Sequence, residues 1–202
     1  MDEKSLYDFL IKVQSIAKIG LIYSKDPYAI SNYNEINELT LKYLEDLQNV
    51  NLDRNNYFKR DIYPTPNISV RTVILNKNND KVLLVREANT HSYSLPGGWC
   101  DLYDSPSEAA SKECSQEAGA DVKIERLIGI LNRTPFKNDG SVPEYVLAFL
   151  ASLTSPLHEH EYETDEVKWF PVDNLPDKMM KVGKEETYRI VKAALENKTI
   201  FD

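Results

Sequence analysis

The stretch Leu95–Ala120, LPGGWCDLYDSPSEAASKECSQEAGA, leaves the chain little freedom in how it folds. Ser105-Pro106-Ser107-Glu108 is a helix start: Ser105 caps, Pro106 suits the first helical position, and Glu108 completes a capping box. Gly119 supplies the left-handed stop. The helix is therefore confined to about Pro106–Ala118. Gly97 and Gly98, just before it, let the loop fold back tightly and bring backbone close to a ligand.

The segments around this helix alternate with a period of two. ISVRTVILN (68–76), KVLLVRE (81–87), SYSLP (92–96), VKIERLIGILNRT (122–134) and EYVLAFLASL (144–153) read as strands. NKNND (76–80) is a turn between the first two. ETDEVKWFPVDNLP (163–176) reads as a last strand followed by a helix entry, and a helix from about Lys184 to Asn197 closes the chain. The pattern predicts a mixed α/β domain.

The first fifty residues have a different period. Leu6, Phe9, Leu10, Val13, Ile16 and Ala17 keep the 3–4 spacing of an amphipathic helix, as do Ile36, Leu39, Tyr43, Leu44 and Leu47. Asp26-Pro27 breaks and restarts the helix between them. Two helices alone bury little surface, so they are expected to pack on the rest of the chain or on a second copy. RNNYFKRDIYPTPN (54–67) reads as a linker. The expected division is a helical domain over 1–58 and an α/β domain over 59–202.

Of 202 residues, 42% are hydrophobic and 28% charged, ordinary for a globular protein with a real core. A net charge of −8 argues against nucleic acid held on a broad basic surface. A phosphate ligand is still compatible, because divalent cations and a few Arg or Lys set the field locally. There is no run of apolar residues long enough for a membrane span and no secretory signal. The two cysteines, Cys100 and Cys114, read as reduced structural thiols, and the expected location is cytoplasmic.

The helix carries Glu113, Gln116 and Glu117 on one face. Carboxylates at i and i+4 repel one another when alone, and a bound Mg²⁺ or Mn²⁺ reverses that sign. A solvated acidic face is the alternative. His158 and His160 form H-x-H, with no third ligand evident. Arg71 and Arg86, on strands, are candidate phosphate contacts. Trp99 and Tyr93 are candidates to stack on a base, or else rim or core aromatics.

The stretch resembles the Nudix box. Gly98, Glu113, Glu117 and Gly119 fall in its register, and the preceding Leu-Pro-Gly-Gly also matches. IAKIGLIYSKDPY (16–28), YPTPNISVR, LLVRE and ETDEVKWFPVDNLP are similar to a bacterial Nudix subgroup with a small helical domain in front. Its members are described as ADP-ribose or CDP-choline pyrophosphatases. The resemblance implies a Nudix α/β/α sandwich with a mixed sheet, preceded by a small all-helical domain that serves dimerisation or walls the pocket. It also implies water attack on a nucleoside diphosphate linked to another moiety, with Mg²⁺ or Mn²⁺, by a homodimer. Glu113, Glu117, Gln116 and the Gly98 backbone are then metal ligands, and Glu113, Glu117 and Glu163 catalytic. Arg71, Arg86, Gly98 and Trp99 are then substrate contacts. Glu166 is a further candidate base.

Three positions depart from the box. Asp104 stands for Glu. Lys112 replaces Arg and loses its planar fork. Gln116 replaces the first Glu of a pair, keeping an oxygen ligand without its charge. These departures leave a catalytically weakened nucleotide-binding module as the alternative. An RNA-end hydrolase is disfavoured by the acidic balance.

Overall fold

The computed structural model describes residues 3–53, 55–58, 63–101, 104–133 and 143–202. The loop 135–143, between the fourth and fifth strands expected from sequence, lies outside them except for Pro143, and so does part of the 54–67 linker. The chain divides into two compact units. Residues 1–67 belong to the first, with Pro143 and Glu144, and residues 68–133 and 145–202 form the second.

The first unit is a helical hairpin, α1 (Glu3–Tyr23) and α2 (Pro27–Gln48). The Asp26 side chain accepts the N–H groups of Tyr28 and Ala29, and Asn49 ends α2 in the left-handed region at φ 52°. Tyr7 and Leu10 of α1 pack on Leu44 of α2 and on Tyr57 and Phe58. Gln14 is buried in this seam for a reason. Its Oε1 accepts the Tyr57 N–H at 2.8 Å, and its Nε2 donates to the Asn37 carbonyl at 3.3 Å. It ties the segment after α2 to both helices.

Apart from the first residues of β1 and β5, the second unit holds β1 (Asn67–Ile74), β2 (Lys81–Glu87), β3 (Tyr93–Ser94), α3 (Pro106–Ala118), β4 (Val122–Arg133), β5 (Glu144–Leu153), β6 (Thr164–Pro171), α4 (Lys184–Leu195) and β7 (Ile200–Phe201). The strands form two sheets, ordered β1-β5-β4-β7 and β3-β2-β6. An isolated antiparallel bridge, Leu75–Val82, lies between their ends. β2 runs antiparallel to β3 and β6, whereas β7 runs parallel to β4.

Strand β2 shows why helices lie on both faces. Val82 and Leu84 pack with Ile190 and Val191 of α4, while Leu83 and Val85 pack with Cys114 and Ala118 of α3. Both faces are covered, so four consecutive apolar residues are fully buried. The expected α/β/α layering is present. Two details differ from expectation. Residues 172–183 form turns and bends with no helix before α4. The two-residue strand β7 carries too little pattern to be read from sequence.

Candidate active site

Helix α3 is set as its sequence requires. Ser105 accepts the Glu108 N–H, the Glu108 side chain returns to the Ser105 N–H, and Gly119 closes the helix at φ 56°. Cys114 and Ala118 enter the core, which fixes the helix rotation and aims Glu113 and Glu117 at the loop 96–98. That loop is held to β1: the Val70 N–H donates to the Gly98 carbonyl at 2.8 Å, and Thr72 N–H to Pro96 at 2.9 Å. The two glycines have separate jobs. Gly97 adopts φ 149° and its N–H donates to Glu117 Oε2 at 2.8 Å. Gly98 has no side chain where a Cβ would collide with the Glu113 carboxylate.

The loop 158–164 meets the other end of α3. His158 N–H donates to the Gly119 carbonyl at 2.8 Å, Glu161 N–H to Gln116 at 2.7 Å, and Thr164 Oγ1 to Glu117 at 2.6 Å. Carbonyls left over at a helix C-terminus are thereby satisfied. The same bonds hold Glu161 and Glu163 beside the helix face. The result is a cavity of about 250 Å³ lined by five carboxylates (Asp101, Glu113, Glu117, Glu161, Glu163) with Lys112 and Gln116. Larger cavities of about 470 and 660 Å³ each bring in a single carboxylate, Glu38 and Glu125.

Burial, then the nearby Glu117 charge, pushes Glu113 up to about 7, against relief from Arg71 and Lys181. Burial also raises Glu117, opposed by the Gly97 N–H, Lys181 and Arg71. A carboxyl raised in the folded state from its ordinary 4.5 to about 7 contributes stability that is complete below the lower value and lost as pH rises through the higher. In chelator, the melting temperature is therefore expected to fall from pH 6 to pH 8, and to fall less in Glu113→Gln. Equal drops in the two proteins would contradict this electrostatic picture.

Of the residues singled out from sequence, Glu113, Glu117, Gln116 and Glu163 meet at this cavity. Gln116 Nε2 donates to Glu161 Oε1 at 3.2 Å. Lys112 pairs with Asp101 at 2.5 Å and Asp104 at 3.4 Å. Arg71 is 4% exposed and its charge acts on Glu113 and Glu117. Arg86 lies elsewhere, bound to Asp165 at 2.6 Å and Glu166 at 3.1 Å. Glu166 also receives the Tyr93 hydroxyl, so this candidate base is committed to a strand-to-strand cluster. Tyr93 stacks edge-on against Phe170. Trp99 is half-exposed beside its bridge to Ser69. His158 bonds Asp121 and the Glu159 carbonyl, and His160 bonds Thr164. Cys100 and Cys114 are free thiols, and burial pushes Cys114 up to about 12.

Besides Asp101 and Glu161 of the cavity lining, two more residues escaped the sequence reading, Lys181 and Glu87. Lys181 Nζ lies 2.6 Å from Glu87 Oε1 and 3.6 Å from Glu117 Oε1. Neither carries a local signal, because each reaches the cavity region only through tertiary packing.

The donor set fits a hard divalent ion. Glu113 and Glu117 are crowded and desolvated, and the space beside Gly98 is taken by a carboxylate. Among the described residues, no three His, Cys, Asp or Glu side chains enclose a metal by themselves. The adjacent carboxylates of Glu113 and Glu117, at the edge of the cavity, suit Mg²⁺, which takes one or two carboxylates and completes its shell with water and substrate phosphates. Mn²⁺ accepts the same oxygen donors.

The NUDIX domain family matches residues 65–190, and the family described as the UDP-X-like, N-terminal oligomerisation domain matches residues 4–54. A Bacillus subtilis (strain 168) protein, YjhB, a candidate ADP-ribose pyrophosphatase, is 31% identical over 95% of this chain and 94% of its own. The fold is similar to that of a crystal structure of a UDP-X diphosphatase, with TM-score 0.61 and 23% identity over 100% of this chain and 99% of the other. An ADP-ribose pyrophosphatase from Streptococcus suis 89-1591 superposes with TM-score 0.55 and 30% identity over 68% of this chain and 100% of its own. With the NUDIX match spanning more than half of its residues and the glycine loop facing Glu113 and Glu117, this chain belongs to the Nudix hydrolase family.

Proposed function

We propose that this protein hydrolyses the pyrophosphate bond of a nucleoside 5′-diphosphate joined to another moiety, with ADP-ribose as the leading substrate and CDP-choline next. A nucleoside monophosphate and a phosphorylated moiety are the products. The observation that carries the reading is the paired Glu113 and Glu117, aimed at the Gly97–Gly98 loop with Glu163 on the facing loop. The likeness to YjhB over nearly the whole chain supports ADP-ribose as the first substrate to try.

Mg²⁺ or Mn²⁺ supplies positive charge to the phosphate oxygens and makes water a better nucleophile when bound. Glu113 and Glu117 would hold that ion and orient the water, and the Gly98 carbonyl and Gln116 would be further oxygen donors. Glu163 takes the proton as the water attacks phosphorus. The bridging P–O bond breaks and its electrons leave with the departing phosphate. Arg71 offsets charge inside the cage, and Trp99 offers an exposed ring to a base. Arg86 reaches phosphate only by giving up its Asp165 pair.

In solution we expect a homodimer, with a second copy covering the exposed stripe of Leu6, Phe9 and Ile16 on α1. No helix among the described residues is long and apolar enough to cross a membrane. The two free thiols suit the cytoplasm.

The test is release of nucleoside monophosphate from ADP-ribose, CDP-choline, a UDP-sugar and capped RNA, each with Mg²⁺ and with Mn²⁺. No release from any of them, alongside measurable ligand binding, would leave a binding module in its place. Gln116→Glu restores a charge to the cage and is expected to raise turnover severalfold at limiting Mn²⁺. An unchanged or lower rate would mean that the missing charge does not limit metal binding.

A further inference from the structure

We propose that Lys181 is a tethered cation of the carboxylate cage, holding Glu87 and Glu117 in the metal-free protein and competing with the divalent ion at Glu117. This rests on the reading of Glu113 and Glu117 as metal ligands. The distances are unequal, 2.6 Å to Glu87 Oε1 and 3.6 Å to Glu117 Oε1. Lys181 therefore belongs first to Glu87 and only leans on Glu117.

This is not a wandering surface lysine. Met179 and Val182, on either side of it, are buried in the core against Leu84 and Leu95. The Tyr93 N–H donates to the Lys178 carbonyl at 2.9 Å, and Lys178 Nζ reaches the Thr90 carbonyl at 2.6 Å. The backbone around Lys181 is thus pinned. The Glu87 side chain is 10% exposed and that of Glu117 is 4% exposed. Ion pairs between exposed groups contribute little, but removing the cation here strands a buried carboxylate. Glu87 is fixed as well: its N–H donates to Ser92 at 3.0 Å, and its carbonyl accepts from His91 at 2.8 Å.

The arrangement has a consequence for loading. A divalent ion arriving at Glu117 meets an ammonium already there, so part of its attraction is cancelled. It can displace Nζ from Glu117 without depriving Glu87 of its counter-charge. Metal affinity in the absence of substrate is held down. Substrate phosphates, which bring their own negative charge, restore it.

The experiment is calorimetric titration of the full-length protein with Mn²⁺, without substrate, beside thermal melting in chelator. Lys181→Met is expected to bind Mn²⁺ about tenfold more tightly, since a unit charge a few ångströms from the ion no longer repels it. Its metal-free melting temperature is expected to fall. Lys181→Arg, which keeps the charge, is expected to stay within about twofold of the parent affinity. Lys181→Gln serves in the same role if the Met variant does not fold. Parent binding of Mn²⁺ with unchanged or weaker affinity in the charge-free variant would overturn the competing role alone. Failure of the parent and both variants to bind Mn²⁺ would overturn the metal cage, and this role with it.

Discussion

Glu117→Gln is expected to lower kcat by about three orders of magnitude in saturating Mg²⁺ while leaving the protein folded. A unit charge about 4 Å from a cation is worth roughly 4 kcal/mol at an effective dielectric near 20, and each 1.36 kcal/mol is about tenfold in rate. Glu117 is the member of the pair most committed to the cage: 3% exposed, with Gly97 N–H on Oε2 and Lys181 by Oε1. An amide oxygen still accepts from Gly97, so the loop keeps its anchor. The charge-free side chain also escapes the desolvation that disfavours the carboxylate. Lys181 retains Glu87. The substitution thus separates charge from shape, and steady-state kinetics beside a thermal melt reads both. A kcat within tenfold of the parent would mean that the Glu117 charge does not serve the reaction.

Gly97→Ala is expected to cost about 3 kcal/mol of stability, which lowers the melting temperature by about 10 °C in a chain of this size. Two effects add. At φ 149° a Cβ is strained wherever it points. Here it would also run into the Val70 carbonyl oxygen and stand 2.8 Å from the carbonyl carbon. Both atoms are backbone of β1, between the bonds that join Val70 to Gly98 and Thr72 to Pro96, so neither yields without breaking that pairing. Gly183 is the control. It caps α4 at φ −60° with nothing near its missing Cβ. Gly183→Ala is expected to shift the melt by only a few degrees, about 1 kcal/mol or less. Equal shifts in the two variants would show that the 96–98 loop is not held as described.

The parts of the site that were legible in sequence are those set by neighbours in the chain. Ser105, Pro106, Glu108 and Gly119 decide the limits of α3 by local bonds, and those limits are Pro106–Ala118 as expected. The faces of β2 could be read as buried because four apolar residues run together. What was not legible depends on distant pairing. Glu163 and Glu166 look alike in an acidic run. Only the bond from Thr164 to the Glu117 carbonyl and the Arg86–Glu166 pair send one to the cavity and the other to a strand cluster. Arg86 as a phosphate contact was equally open from sequence, and β6 gave it two carboxylates. Lys181 and Glu87 are separated by most of the α/β unit and meet only once β2 and the segment before α4 pack. The division into two sheets likewise rests on register, which alternation alone does not fix.

The most direct measurement is the initial rate of AMP release from ADP-ribose as Mn²⁺ is added back to chelator-treated protein. The parent is expected to go from no detectable release to a saturating rate, while Glu117→Gln stays about a thousandfold lower throughout. Release that persists in chelator, or equal rates in the two proteins, would contradict a metal-assisted hydrolysis built on Glu113 and Glu117.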